Sequence, residues 1–221
     1  MKTAMVWGAS GGIGTALVEQ LAARDWKVIA LARVPEEVTD RATEVIEMDV
    51  ADAESVRLAV EQVSELVDNV DLWIYAAGDI LSQKVVDMAP GDWAQILNAN
   101  LTGAYLAAHF SLPLLGNDAH LVFLGGVSER LRLPGLGAYA SAKAGLEAFA
   151  DVLRKEERGR RVTVVRPKAV DTDLWEKVPF SVPRGAVEPK ALAVRVLEAH
   201  EEGESGVLDL QSDGFPRSGA G

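Results

Sequence analysis

The residue pair with the clearest capacity for chemistry is Tyr139 and Lys143, in the stretch Tyr-Ala-Ser-Ala-Lys. Residues four apart on a helix lie on one face, so the phenol and the ammonium group are predicted to be neighbours. A free phenol has a pKa of about 10, and a nearby ammonium group lowers it towards the neutral range. Such a pair can give a proton to a carbonyl oxygen as hydride reaches its carbon, or take one in reverse. By itself, this spacing more often belongs to two exposed side chains on a helix.

A second chemical signal is the glycine-rich run Gly8–Gly14, which follows an apolar stretch and precedes a helical pattern. Glycines let the chain turn sharply and let a phosphate approach the backbone, and the next helix offers unpaired N–H groups. The spacing departs from the strict dinucleotide fingerprint, because Ala16 and Leu17 stand where its third glycine would be. The run predicts a nucleotide-binding loop, with a plain strand–helix turn as the alternative.

The residue after the second predicted strand bears on the choice of nucleotide. In an NAD site an acidic residue, roughly 20 positions past the loop, binds the ribose 2′-hydroxyl. Here the strand ends in Ala32 and Arg33 follows, and a guanidinium group suits a 2′-phosphate. Arg33 therefore favours NADP(H) over NAD(H), unless it is simply a solvated arginine at a strand end.

These residues must be positioned by alternating strands and helices. The predicted strands are Thr3–Trp7, Lys27–Ala32, Glu44–Met48, Val70–Tyr75, His120–Leu124, Val162–Val165 and Gly206–Leu210. Near-continuous apolar strands belong to parallel sheets covered on both faces, and helical patterns lie between them, including a long one from Pro90 to Pro113. We predict an α/β fold, a Rossmann-type doubly wound parallel sheet with helices on both faces and ligand at the carboxyl ends of its strands.

Length, composition and charge limit the classes of protein to which the chain can belong. The 221 residues suit a single domain over residues 1–210, followed by a polar, flexible tail over residues 211–221. The net charge of -11 gives an acidic surface, which argues against nucleic-acid binding. There is no cysteine, and we expect no metal site. No run has the length of a signal peptide or a membrane span, so a cytoplasmic protein without membrane contact is expected.

With these stretches in order, the chain resembles the short-chain dehydrogenase/reductase family, of the classical type, as far as about Leu210. The matching stretches are Gly8–Gly14, Asp49-Val50, Ala76-Ala77-Gly78, Asn100-Leu101-Thr102-Gly103, Tyr139–Lys143 and Arg166-Pro167. The resemblance implies an oxidoreductase that uses NADP(H) or NAD(H) on a small-molecule carbonyl or alcohol. It also implies a homodimer or homotetramer, and a substrate lid between Leu174 and Val187.

The resemblance implies a role for individual residues. Tyr139 would be the proton donor and acceptor, Lys143 would bind the nicotinamide ribose and tune Tyr139, and Asn100 would hold a water in a proton relay. Asp49 and Val50 would lie at the adenine, and Val170 and Thr172 at the nicotinamide carboxamide. The full set of implied cofactor contacts is Gly8, Ser10, Gly11, Gly12, Ile13, Gly14, Arg33, Asp49, Val50, Ala76, Ala77, Gly78, Asn100, Tyr139, Lys143, Pro167, Val170 and Thr172.

Several of these residues have plainer alternatives. Asn100 could be a kink or capping residue within its helix, Asp49 a turn residue and Thr172 a helix cap. Ala148, Phe149 and Val152 could form a subunit interface, but burial in the core explains them equally well.

One departure from the family pattern concerns the reaction itself. The family places a serine about thirteen residues before the tyrosine, and that position here is Gly126. Ser128 would point to the same side one pleat farther along, roughly 6–7 Å away, and is a candidate replacement unless it is a loop serine. Losing one donor to a developing oxyanion costs on the order of 10²–10³ in rate. Gly126 therefore motivates an alternative, a nucleotide-binding regulatory or scaffold protein.

Three other positions also differ from the pattern. Trp7, Tyr75 and Lys168 stand where the family has threonine, asparagine and glycine. Replacement of the asparagine by Tyr75 predicts the loss of a side chain that braces the backbone. A sugar-nucleotide epimerase of the extended branch also fits the loose glycine spacing, but we expect no second substrate domain after Leu210.

Overall fold

The architecture is a parallel sheet with the strand order β3-β2-β1-β4-β5-β6-β7. The computed structural model describes residues 1–38, 40–126 and 131–210. Its seven strands are β1 (Thr3–Trp7), β2 (Lys27–Ala32), β3 (Glu44–Glu47), β4 (Val70–Tyr75), β5 (Leu115–Leu124), β6 (Arg161–Pro167) and β7 (Gly206–Leu210). The order reverses between β1 and β4, which confirms the predicted doubly wound fold.

Six α-helices lie in the described residues and cover both faces of the sheet. They are α1 (Gly12–Ala22), α2 (Ala53–Leu66), α3 (Pro90–Leu97), α4 (Gly103–Ser111), α5 (Gly137–Glu156) and α6 (Pro189–Glu201). Asp52 caps α2, since its side chain accepts the N–H of Glu54. No helix in the described ranges is long and apolar enough to cross a bilayer.

Alternation along the strands divides the core into two layers. In β1, Met5 and Trp7 lie in the layer with α2, α4 and α5, whereas Ala4 and Val6 face the layer with α1 and α6. All of β1 is buried, because helices cover both faces of the sheet. The apolar runs of the sequence therefore report burial on both sides.

The long helix predicted from Pro90 to Pro113 is interrupted in the structure. Between α3 and α4 the chain forms a π-helical turn over Asn98–Thr102, with Asn100 fully buried at its centre. Such turns occur mostly as local bulges and often at functional sites. Apolar spacing alone does not distinguish this turn from a continuous helix, so the prediction of one long helix was wrong at this point.

Surface exposure also decides one of the open alternatives. Ala148 is exposed and Phe149 is half-buried, while the side chain of Val152 is 51% exposed on α5. Burial in the core therefore does not account for Ala148 and Val152. The predicted tail over residues 211–221 lies outside the described residues.

Candidate active site

The glycine turn between β1 and α1 depends on the absence of side chains at two positions. Gly8 has a φ of 75°, and a Cβ there would lie 2.5 Å from the backbone of Ala77. A Cβ on Gly14 would lie 2.1 Å from the carbonyl oxygen of Gly8. Strands β1 and β4 can therefore meet closely at the point where the sheet order reverses, which is where such folds bind nucleotides.

The helix that follows the turn presents its N-terminus to the same edge of the sheet. Gly11 is the N-cap of α1, and the first turn of α1 contains no acidic residue. Gly11 and Gly12 are exposed, whereas Ser10 and Ile13 are half-buried. The unpaired N–H groups of this first turn are thus accessible to an anionic group.

Thr172 closes the turn from the opposite side. A Cβ on Gly12 would lie 2.8 Å from the Cγ2 atom of Thr172, so the two residues are in contact. Thr172 is the N-cap of a 3₁₀ helix (Asp173–Lys177, the lid helix) but makes no side-chain cap hydrogen bond. Pro167 ends β6, and the buried Val170 forms an isolated bridge with Val187. Of these residues Thr172 contacts the glycine turn, and the cofactor contacts of Pro167 and Val170 stay predictions.

Arg33 and Asp49 line an open groove of about 420 Å³ at the ends of β2 and β3. Arg33 is exposed, and Glu47 contributes a second carboxylate to the groove. The carboxylate of Asp49 accepts the N–H of Ala51 at 2.9 Å, so this residue also has the turn role given as its alternative. Val50, next to it, is buried.

The loop after β4 lies between the glycine turn and the catalytic candidates. The N–H of Ala76 donates to the carbonyl of Trp7 at 2.9 Å, which continues the strand pairing. A Cβ on Gly78 would lie 2.8 Å from Asn100 Oδ1 and 3.8 Å from Lys143 Nζ. Gly78 therefore lets the amide and the ammonium group converge on one point.

Tyr139 and Lys143 lie one turn apart near the start of α5. Lys143 Nζ is 5.6 Å from the centre of the Tyr139 ring and donates to the carbonyl of Leu124 at 2.9 Å. Burial lowers the pKa of Lys143 to about 8. Burial also raises the pKa of Tyr139 to about 12, so the predicted lowering of the phenol pKa is wrong in this structure.

Asn100 is fixed by two hydrogen bonds and leaves one atom of its amide group unbonded. Nδ2 donates to the carbonyls of Asp79 at 2.7 Å and Ile96 at 2.9 Å. Oδ1 is buried and accepts no hydrogen bond from the residues that the structure describes. Buried amide oxygens normally have a partner, so this atom is a candidate acceptor for a group that the site binds.

The position of the family's serine is a buried glycine. Gly126 is buried, and a Cβ there would lie 3.3 Å from the Cδ1 atom of Leu131. Ser128, the candidate replacement, lies outside the described residues. Its role stays a prediction.

Tyr75 has a bracing role that the sequence interpretation missed. Its hydroxyl donates to the carbonyl of Ala99 at 2.8 Å, within the π-helical turn. A Cβ on Gly103 would lie 2.7 Å from the same hydroxyl, so the glycine makes space for it. Contrary to the expectation from the missing asparagine, the backbone here is braced by a different side chain. Trp7, by comparison, is fully buried against Trp73, with 6.4 Å between the ring centroids.

An ion pair between Asp79 and Lys177 was also missed. Lys177 Nζ lies 2.7 Å from Asp79 Oδ1, although 98 residues separate the two in sequence. The one available signal was an acidic residue directly after Gly78, at the carboxyl end of a buried strand.

Comparisons with known proteins agree with this geometry. The family profile described as short chain dehydrogenase matches residues 2–180. The chain belongs to the short-chain dehydrogenase family. Family membership favours an oxidoreductase over the regulatory or scaffold alternative.

Two relatives and one solved structure illustrate the range of the short-chain dehydrogenases. The chain is 31% identical to oxidoreductase BOA17 of Botryotinia fuckeliana, over 82% of this chain and 70% of the relative. It is 30% identical to 3-oxoacyl-[acyl-carrier-protein] reductase FabG of Aquifex aeolicus, over 78% of this chain and 75% of the relative. Thermoplasma acidophilum aldohexose dehydrogenase has the same fold at 22% identity, with a TM-score of 0.84 over 95% and 91% of the two chains.

Short-chain dehydrogenases use a nicotinamide cofactor, NAD or NADP, and act on small molecules. The residues present fit such a cofactor, because the exposed Gly11 and Gly12 leave the unpaired N–H groups at the start of α1 open to a phosphate. The unbonded Oδ1 of Asn100 is a further point of fit. Members are typically oligomeric, and the homodimer or homotetramer stays a prediction.

Proposed function

We propose that the protein is an NADP(H)-dependent oxidoreductase that interconverts a carbonyl and an alcohol, with Tyr139 as the general acid and base. The observation that carries the proposal is the convergence beside Gly78. Lys143 Nζ and Asn100 Oδ1 lie 3.8 and 2.8 Å from the point where a Cβ of Gly78 would stand, and the Tyr139 ring is 5.6 Å from the same ammonium group. The glycine turn adjoins this point through Ala77.

Tyr139 and Lys143 carry out the proton transfer of the proposed reaction. When bound, the nicotinamide supplies or accepts the hydride. With a pKa of about 12, Tyr139 keeps its proton at neutral pH and is in the form that donates to a carbonyl oxygen. In the oxidative direction Tyr139 must lose that proton, and the positive charge of Lys143 favours the phenolate.

Asn100 supports this proton transfer by its position. Because Nδ2 is held by the carbonyls of Asp79 and Ile96, the orientation of the amide is fixed and Oδ1 points towards Gly78. Oδ1 is therefore available as the acceptor of the proton relay that the family pattern implies. Lys143 uses one of its three donors on Leu124 and keeps the others for ribose hydroxyls.

The preference for NADP(H) rests on Arg33. Its exposed guanidinium group borders the groove at the end of β2, where a free 2′-hydroxyl would gain little from it. The end of β2 carries Ala32 and Arg33 in place of the acidic residue that binds the ribose in an NAD site.

Turnover by the Tyr139→Phe variant tests the proposal. The variant keeps the ring and loses the proton, so the rate of carbonyl reduction with NADPH should fall about 10²–10⁴-fold. NADPH binding, followed by its fluorescence, should change little. Turnover of the variant within a few fold of the wild type, on the same carbonyl, would show that Tyr139 is not the acid.

A further inference from the structure

Asp79 connects three parts of the site with one side chain. It is only 7% exposed. Its carboxylate accepts hydrogen bonds from Lys177 Nζ at 2.7 Å, Gln95 Nε2 at 3.0 Å and its neighbouring Ile80 N–H at 2.9 Å. Burial alone would raise the pKa of the Asp79 carboxyl, but these donors outweigh it and the pKa is lowered. Asp79 is therefore charged at neutral pH.

The ion pair crosses the mouth of the site. Asp79 follows β4 and Lys177 follows β6, and β5 lies between them in the sheet. Neighbouring strands are about 4.8 Å apart, so β4 and β6 lie roughly 10 Å apart and the segments that follow them are joined across the end of β5. The lid helix thus reaches back over the strand that leads to Gly126.

The other contacts of the lid lie at its base. Thr172 packs on Gly12, and Trp175 donates its indole N–H to the carbonyl of Val170 at 2.8 Å. Val170 in turn pairs with Val187. These contacts fix where the lid starts and ends. Lys177, the last residue of the lid helix, joins it to Asp79 on the opposite side of the site.

The main chain of Asp79 reaches the catalytic candidates. Its carbonyl accepts the amide of Asn100 at 2.7 Å. One residue therefore binds the lid with its side chain and Asn100 with its backbone.

We propose that Asp79 is a positioning residue, and that the Asp79–Lys177 ion pair is a latch that holds the lid helix over the reaction site while Asp79 orients Asn100. The role of the latch in turnover rests on the proposed function. The Lys177 side chain is 51% exposed and that of Asp79 is 10% exposed. Water can compete for the lysine, while Gln95 and Ile80 keep the aspartate in place. When the ion pair breaks, Lys177 moves away with the lid helix and Asp79 keeps its position.

Limited proteolysis tests the latch without any cofactor. Chymotrypsin is directed to Phe180, which is 37% exposed just beyond the lid helix, and the cut is located by mass spectrometry. Lys177→Ala and Asp79→Asn should each be cut about three- to tenfold faster, and the double variant no faster than the faster single one. Glu176→Ala, an exposed neighbour on the same lid helix, is the control and should match the wild type.

Salt gives a readout that a purely structural role would not move. Raising ionic strength from about 0.05 M to about 0.5 M should speed cleavage of the wild type but not of Lys177→Ala. Lys177→Ala alters an exposed side chain, so it keeps the test valid if Asp79→Asn fails to fold.

The effect on the reaction is measured as NADPH release in stopped flow, which should be about three- to tenfold faster in Lys177→Ala. If both variants match the wild type in cleavage and in release, the latch is overturned while the oxidoreductase stands. If the wild type binds neither cofactor and reduces no carbonyl, the proposed function fails, and the latch has no role in a reaction.

Discussion

At the end of β2, the exposed side chain of Arg33 shares a groove with the carboxylates of Glu47 and Asp49. A guanidinium group forms charge-assisted hydrogen bonds with a phosphate, and such bonds contribute about 1.5–3 kcal/mol. We therefore expect Arg33→Ala to weaken NADPH binding about 10- to 100-fold and to leave NADH binding within about threefold. Parallel fluorescence titrations of the two cofactors measure both constants.

The control for Arg33 lies at the other edge of the sheet. Arg158 is exposed after α5, and Arg158→Ala removes one positive charge, as Arg33→Ala does, without touching the groove. It should change neither titration. An equal loss for NADPH and NADH in Arg33→Ala would assign the arginine to a part of the nucleotide that both cofactors share.

Single residues show where sequence reasoning succeeds and where it stops. The tight turn at Gly8 and Gly14 was predictable, because a positive φ or a position without room for a Cβ requires glycine, and glycine is visible in the sequence. The pKa of Tyr139 was not predictable, because burial raises it and burial depends on packing between distant segments. The partnership of Asp79 and Lys177 across 98 residues leaves no local pattern either.

Among the elements, the π-helical turn Asn98–Thr102 is held by a residue from the neighbouring strand. Tyr75, fully buried at the end of β4, donates its hydroxyl to the carbonyl of Ala99. Tyr75→Phe would remove this buried hydrogen bond, which costs about 0.5–1.5 kcal/mol of stability. We expect the turn to loosen and kcat to fall several-fold with KM nearly unchanged, because Asn100 sits in the turn and not on the substrate.

Tyr105→Phe is the matched control for the Tyr75 hydroxyl. Tyr105 lies on α4, three residues after Thr102, the last residue of the turn. It is 46% exposed, so its hydroxyl is solvated. Loss of that hydroxyl should leave kcat and the urea midpoint unchanged. If Tyr75→Phe loses stability but keeps kcat, the brace serves the fold and does not position Asn100.

The same element explains a limit of prediction at this scale. The bounds of β1, β2 and β4 followed from apolar runs, since a strand buried on both faces must be apolar throughout. The predicted start of β5 at His120 was wrong, because β5 begins at Leu115 and its first residues include polar, exposed ones. The interruption between α3 and α4 did not follow from the apolar pattern, because the extra residue of a π turn leaves the apolar spacing nearly unchanged over so short a span.

At the scale of the whole molecule, a buried histidine pair lies at the start of the strands, away from the candidate site. His120 Nδ1 and His200 Nδ1 are 3.1 Å apart, and His120 Nε2 is 2.7 Å from Thr163 Oγ1. Burial and the nearby Arg161 lower the pKa of His120 to about 3 and that of His200 to about 4. Lys2 also lowers the pKa of His200, and Asp71 opposes it. The neutral pair joins β5 to the last turn of α6, and protonation of both rings would place two cations 3.1 Å apart.

The pH dependence of folding follows from these lowered values. In the unfolded chain a histidine takes up its proton near pH 6.5, whereas in the folded protein both rings stay neutral to about pH 4. The unfolded state therefore binds more protons between these values, and stability that is fully present above pH 6.5 is lost as the pH falls. From about pH 7.5 to about pH 5, the free energy of unfolding in urea should drop by roughly 4 kcal/mol, about 2 kcal/mol for each histidine, above the range where carboxylates titrate. His200→Gln should flatten this dependence, whereas His109→Gln, at an exposed position on α4, should keep it. A wild-type protein equally stable at both pH values would show that the pair is protonated, or opened, without cost to the fold.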